Sequence, residues 1–319
     1  MRTRAWWWLA LLLNVTPLVL TAQSVPVAAV HEFREVHLGM EVRLMLVGTA
    51  AEAGVAARTA YDRIDSLNLV LSDWDRHSEV RRLEAHPVGG WVPVSAPLRE
   101  VLALALEVAR ATDGAFDPTM GPLTVLWRES RRTGIAASDA EIDAARQRVG
   151  HALVELDSAA SRVRFLAEGM RLDFGALAKG WILDDVLQGI RRSGINAALI
   201  EAGGDLVVMG TPPGAEGWRI AIERDGGDSV LVLASGAVST SGPSAQSIVG
   251  ANGVRESHVI VGATGRGAVD GRAVTVVGPR AAITDALATA LTLVPRDRAA
   301  ALAERYGVTV IGESGASGP

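Results

Sequence analysis

The chain has 319 residues, 49% of them apolar and 21% charged, with a formal charge of −5. That composition buries a sizeable core and excludes general disorder. Lacking a long basic run, it also excludes a nucleic-acid binder, which needs clustered Lys and Arg to displace counterions. Cysteine is absent, which excludes disulfides, thiol chemistry, cysteine metal sites and a lipid-modified N-terminal cysteine.

Residues 1–29 read as a signal peptide. Arg2 and Arg4 precede a mostly apolar run from Trp6 to Leu20, and small residues follow at Thr21-Ala22 and Val27-Ala28-Ala29. The run is short for a membrane span, and an uncleaved anchor is the alternative. The expected location is exported, periplasmic or otherwise extracytoplasmic. Residues 30–312 are read as one domain and 313–319 as a disordered tail.

Gly39 to Val47 alternates and predicts a strand. Thr49 to Leu71 has apolar residues at helical spacing. Pro97 to Thr112 is a second helix, with proline near its start and Asp113-Gly114 at its end. Asp139 to Val149 is a third. Two strand-like runs between Val154 and Phe174 flank a polar turn at Asp157 to Ser161. A helix spans Ala176 to Ser193. Short strands follow at Ala197–Ile200, Leu206–Met209, Trp218–Ile222, Val230–Leu233, His258–Val261 and Val274–Val277. Helices at Ala281–Leu293 and Arg296–Tyr306 and a strand near Val308–Ile311 close the chain. Helices come first and antiparallel-looking strands later, so the expected class is α+β.

Seven segments could carry chemistry. In DFGALAKGWILDD (Asp173 to Asp185) a helix begins after a glycine turn. Its N-terminus offers unpaired N–H groups and a positive dipole end. Lys179, the only lysine in the chain, lies in that first turn, where an ammonium is unfavourable unless something negative is bound. A solvated surface lysine is the alternative.

EAGGDL (Glu201 to Leu206) alone reads as an ordinary glycine turn. VSTSGPS (Val238 to Ser244) is a hydroxyl-rich turn of a kind that binds phosphate. His258 alone reads as structural. In TDALATALTLV, which begins as an amphipathic helix, Asp285 and Thr289 share one face. Together they could hold Mg²⁺, which prefers oxygen ligands; alone, they read as a cap and a back-bonded hydroxyl. GAFDPTMGPLTVLW (Gly114 to Trp127) begins with a turn at Asp117-Pro118. Trp74, in SDWDRHSE, either stacks on a planar ligand or covers the core edge.

The ordered set resembles the ApbE family, the FAD:protein FMN transferases. GAFDPTMGPL resembles that family's GaFDpTvgpL, and DFGALAKGWILD its DLGgiAKGyavD. EAGGDL, VSTSG, SHVI and TDALATAL resemble its GGD, aTSG, sHiid and ADalaTAl. The likeness runs from about Glu35 to Val294. It implies an ApbE-like, T-fold-related architecture, with antiparallel sheets flanked by helices around an FAD cleft.

By the same resemblance, Mg²⁺ is held by Asp285, Thr289 and the carbonyl of Ala176. FAD contacts fall on Leu38, Trp74, Ala115, Phe116, Asp117, Asp173, Lys179, Gly203, Gly204, Asp205, Ser241 and His258, with His258 the catalytic base. The implied reaction moves FMN from FAD to a threonine of an acceptor flavoprotein and releases AMP. An FAD pyrophosphatase and a non-catalytic FAD-binding protein are the alternatives. The family's Met-Gly-Thr reads here Leu38-Gly39-Met40, and its aspartate-proline-arginine after the histidine reads Val261-Gly262-Ala263.

Overall fold

The computed structural model describes residues 28–222, 229–242, 247–250, 253–269 and 272–314. The expected signal segment lies almost wholly outside the described residues. A hairpin opens the chain, β1 (Ala29–His37) and β2 (Met40–Gly48). Helices α1 (Ala50–Leu71) and α2 (Glu79–Glu84) follow. Strand β3 (Val92–Pro93) leads to α3 (Ala96–Ala111), α4 (Gly121–Thr133) and α5 (Asp139–Arg146). Strands β4 (Val154–Asp157) and β5 (Arg162–Phe165) join β3 in a small sheet.

Next come α6 (Ala178–Arg192), β6 (Ala198–Ala202) and β7 (Asp205–Met209). A hairpin, β8 (Trp218–Ile222) and β9 (Ser229–Leu233), precedes β10 (Ser235–Ser241). Two short ribbons pair β11 (Ser247–Val249) with β12 (Arg255–Ser257), and β13 (Ile260–Val261) with β14 (Arg266–Gly267). The chain closes with β15 (Ala273–Gly278), α7 (Ala281–Ala290), α8 (Arg296–Tyr306) and β16 (Thr309–Ser314).

The central sheet has seven strands in the order β1-β2-β6-β7-β10-β15-β16. Every neighbouring pair is antiparallel. The α+β reading is therefore borne out. One face of the sheet carries the main core, with Leu44, Ile64, Leu98, Phe174 and Leu183 fully buried. The other face is covered by the β8–β9 hairpin, whose Trp218, Ile220 and Ile222 point inward. Strand β7, sandwiched between the two layers, is buried at every position. β8 alternates buried and exposed because only one of its faces meets the sheet.

Local signals explain the helix starts. Thr49 and Glu52 form a capping box at α1. Ser95 caps α3, with proline in its first turn. Gly134 ends α4 in the left-handed region at φ 73°.

Several expectations are corrected. Strand β10 takes Val238 to Ser241, read as a turn, because these residues pair with Leu206 of β7 and with β15; 243–246 lie outside the described residues. His258 sits in a bend, and only Ile260–Val261 of that run forms a strand. Beyond Phe165 no strand forms up to Phe174 among these residues, because the chain turns to enter α6. The start of the expected tail also moves: Glu313 and Ser314 pair with β15 and belong to the sheet, while 315–319 lie outside the described residues. Helix α7 is buried on nearly every side, so it is not amphipathic; it is wedged between α6 and strands β10 and β15.

Candidate active site

The site is built at one end of the central sheet. The β1–β2 turn places Leu38 at φ 55° and Gly39 at φ 76°, and the β6–β7 turn places Gly203 at 55° and Gly204 at 90°. Two-residue hairpin turns with both central φ values positive match the strand twist. The turns abut: a Cβ on Gly203 would lie 2.6 Å from the sulfur of Met40. The glycine turn EAGGDL is thus an ordinary hairpin, but it delivers Asp205, 2% exposed, to the start of β7.

Asp205 meets Lys179. The lysine's Nζ pairs with Asp205 Oδ2 and lies 3.6 Å from Asp285 Oδ1. The second oxygen of Asp285 accepts the N–H of Gly180 at 3.0 Å. Asp285 thereby caps the N-terminus of α6 from the neighbouring helix. Burial pushes its carboxyl above the usual carboxylate range, opposed by Lys179 and the Gly180 N–H. Two buried carboxylates share one ammonium, so the cluster keeps excess negative charge. Thr289 faces the same side of α7, and its hydroxyl donates to Ser241 Oγ at 3.4 Å rather than back to its own helix. Ser239 and Thr284 hydrogen-bond at 2.9 Å nearby.

These residues fit a hard cation by the chemistry of their oxygens. Gly180 lies in the first turn of α6, where backbone N–H groups have no acceptor within the helix, and Asp285 supplies one. Ala176 lies two residues before α6, with its carbonyl outside the regular helical ladder. Carboxylate, hydroxyl and carbonyl oxygens with net negative charge suit Mg²⁺.

In front of this cluster lies a cleft of about 1150 Å³ whose walls include Leu38, Trp74, Lys179 and His258. Trp74 is 75% exposed and carries the Arg128 guanidinium 3.9 Å from its ring centroid. His258 lies edge-on to Trp127, with ring centroids 6.4 Å apart. The segment holding Trp74 is fixed by Ser72 Oγ, which accepts the N–H groups of Trp74 at 3.2 Å and Asp75 at 3.1 Å.

The remaining expected contacts lie in a supporting layer. Asp117 accepts the N–H of Thr119 at 2.8 Å, its hydroxyl at 2.6 Å and the N–H of His151 at 2.9 Å. Its side chain ties two loops together and does not line the cleft. Phe116 is buried in the core, and Ala115 packs against that core. Asp173 accepts the N–H of Gly175 at 2.8 Å and shapes the entry to α6. Gly262, in the segment after His258, lies against Met120 of the same loop layer: a Cβ there would come 2.7 Å from the methionine's terminal methyl.

Sequence reasoning passed over four residues here. Arg81 donates from Nε to the carbonyl of Asp73 at 2.8 Å and pairs with Glu84. Glu84 accepts the N–H of Leu172 at 2.7 Å, tying the Trp74 loop to the approach to α6. Arg128 backs Trp74. Asp184 accepts the N–H groups of Ala281 at 2.8 Å and Ala282 at 3.1 Å, capping α7. Only Asp184 had a local signal, since it lies inside the lysine motif; the others matter through contacts distant in sequence.

A family model described as the ApbE family matches residues 38–311. The chain belongs to the ApbE family. Its relatives include the FAD:protein FMN transferase of Vibrio cholerae serotype O1, 30% identical over 266 residues, covering 80% of this chain and 78% of that one. The FAD:protein FMN transferase of Salmonella typhimurium is 28% identical over 303 residues, covering 91% and 85%. Among solved structures, the ApbE protein of Thermotoga maritima superposes with a TM-score of 0.81 at 30% identity, covering 91% of this chain and 96% of that one. The apo form of Pseudomonas stutzeri flavinyl transferase ApbE gives 0.78 at 27% identity, covering 91% and 95%. The ApbE resemblance drawn from the six motifs is thus borne out along the domain.

Proposed function

We propose that this chain is an FAD:protein FMN transferase that moves FMN from FAD to a threonine hydroxyl of an acceptor flavoprotein and releases AMP. The observation that carries the reading is the joining of the lysine motif to the α7 pair: Lys179, on the wall of a cleft of about 1150 Å³, bridges Asp205 and Asp285. Family membership and the names of its relatives support the same reading.

In the reaction the acceptor's hydroxyl oxygen forms a bond to the FMN-side phosphorus. The pyrophosphate P–O bond breaks, and its electron pair leaves with AMP. The hydroxyl proton goes to a base, and His258, on the cleft wall, takes that role. Asp285, Thr289 and the Ala176 carbonyl would hold Mg²⁺. When bound, the metal supplies charge neutralisation on the pyrophosphate and assists departure of AMP. Lys179 offsets part of the charge of Asp205 and Asp285 beside the N-terminus of α6, the helix end where a phosphate is favoured. The signal-like N-terminus supports export and work on an extracytoplasmic acceptor.

AMP release from FAD tests this, with and without Mg²⁺ and with and without an acceptor domain. Release that needs both, with the acceptor gaining the mass of FMN, is expected. AMP and free FMN without acceptor would instead identify a pyrophosphatase. Bound FAD without AMP would identify a flavin-binding protein.

A further inference from the structure

We infer that Arg128 is a positioning residue for a planar ring of FAD: its guanidinium backs the Trp74 indole and fixes the surface on which that ring stacks. The inference rests on the FAD cleft of the proposed function, and it concerns a residue outside all six motifs that carry the family resemblance.

Trp74 lies on a loop and is 75% exposed, with one ring face covered by the guanidinium of Arg128 at 3.9 Å. Both residues line the cleft. An exposed indole on a loop has freedom to swing. A guanidinium locked against one face removes that freedom and leaves the opposite face for a ligand.

The guanidinium is itself locked. It donates to Asp73 Oδ2 through Nη1, and its Nη2 lies 3.6 Å from Asp173 Oδ2. Both carboxylates are held by the scaffold. The carbonyl of Asp73 accepts from Arg81. Asp173 donates its N–H to Pro118 O at 2.7 Å and accepts that of Gly175. Arg128 thus connects the Trp74 loop, helix α4 and the approach to α6.

The alternative role for an arginine in such a cleft is a phosphate clamp. Two carboxylates already neutralise this one, so its charge is committed and its flat face is what the cleft uses. The pair also needs it: burial and the charge of Asp173 push the Asp73 carboxyl above its usual range, and Arg128 opposes this. Lysine would keep the charge between the carboxylates but has no planar face to lay on the indole.

The test compares the wild-type chain with Arg128→Lys and Arg128→Ala, each alone and in a Trp74→Ala background. FAD, FMN and ADP are titrated separately, and steady-state transfer is measured. Arg128→Lys is expected to raise the FAD Kd and KM by about 3- to 10-fold while kcat changes little. FMN or ADP, whichever carries the stacked ring, should weaken in parallel while the other does not. In the Trp74→Ala background Arg128→Lys should have no further effect on binding. If Arg128→Lys binds all three ligands like wild type, and Arg128→Ala only melts earlier, the arginine is a structural counter-ion and the inference fails. It fails too if kcat falls with KM unchanged, which would mean contact with reacting groups. A wild-type chain that binds no FAD overturns the FAD-cleft reading, and this inference with it, a result distinct from the other two.

Discussion

Asp184 and Asp285 cap each other's helices. Asp184, on α6, accepts the first two N–H groups of α7, at 2.8 and 3.1 Å. Asp285, on α7, accepts the N–H of Gly180 in the first turn of α6, at 3.0 Å. Each carboxylate sits at the positive end of the other helix. The exchange fixes α7, which carries Asp285 and Thr289, against α6, which carries Lys179.

Asp184→Ala leaves two buried N–H groups of α7 without their acceptor. The expected loss is about 1–2 kcal/mol of folding stability, with Asp184→Asn retaining part of it. Urea unfolding of the three proteins checks this. If Asp285 and Thr289 hold Mg²⁺ as proposed, weaker Mg²⁺ binding to Asp184→Ala, followed calorimetrically, is expected alongside, because the helix that carries them is no longer pinned. Full stability in Asp184→Ala would show that the cap is dispensable.

Gly180 is where α6 touches α7. A Cβ there would fall inside van der Waals contact of the Ala281 carbonyl oxygen and 2.8 Å from the N of Ala282. Both are backbone, so no side chain can swing aside. Gly180→Ala is expected to cost about 1–3 kcal/mol despite alanine's better helix propensity. Its melting temperature, compared with that of Gly189→Ala in the same helix, separates crowding from propensity, since the Gly189 Cβ meets only an arginine side-chain tip at 3.9 Å.

Lys179 is the ammonium shared by two buried carboxylates. Removing it as Lys179→Met leaves them facing each other and is expected to destabilise the chain by about 3–5 kcal/mol without added metal. Asp205→Asn should restore part of that loss, and millimolar Mg²⁺ another part. A double-mutant cycle by chemical unfolding measures the coupling; strictly additive losses would argue against the charge cluster.

His37, next to Leu38 of the cleft wall, gives a pH signature. Burial lowers its pKa, but hydrogen bonds to Asp65 at 2.6 Å and Glu35 at 3.2 Å outweigh this and raise it above the ordinary 6.5. The ring also stacks on Tyr61 at 4.8 Å. A raised folded-state value means the contribution is full below 6.5 and is lost as pH rises through the folded value. His37→Gln is expected to flatten the stability curve just above pH 6.5 and to change little at high pH. An unchanged curve would show that the pair contributes nothing.

Much of this was legible in the residues themselves. Alternation placed β2 within a residue, helical spacing placed α1, and the glycine pair placed the β6–β7 turn, because these patterns are local consequences of backbone geometry. The single lysine, the α7 pair and the histidine stood out in sequence as chemical groups in ordered motifs. Tertiary structure decided what no local pattern carries. It put the start of a hydroxyl-rich "turn" into strand β10, because β15 pairs with Val238 to Ser241 and β7 with Val238. It buried α7 all round, because sheet and α6 enclose it. It engaged Asp117 in holding loops, since His151 lies 34 residues away in sequence and its N–H 2.9 Å away in space. It also brought Arg128 onto Trp74 and Lys179 between Asp205 and Asp285. Periodicity reports which face of a segment is buried; which groups meet across that buried space is fixed only when the segments pack.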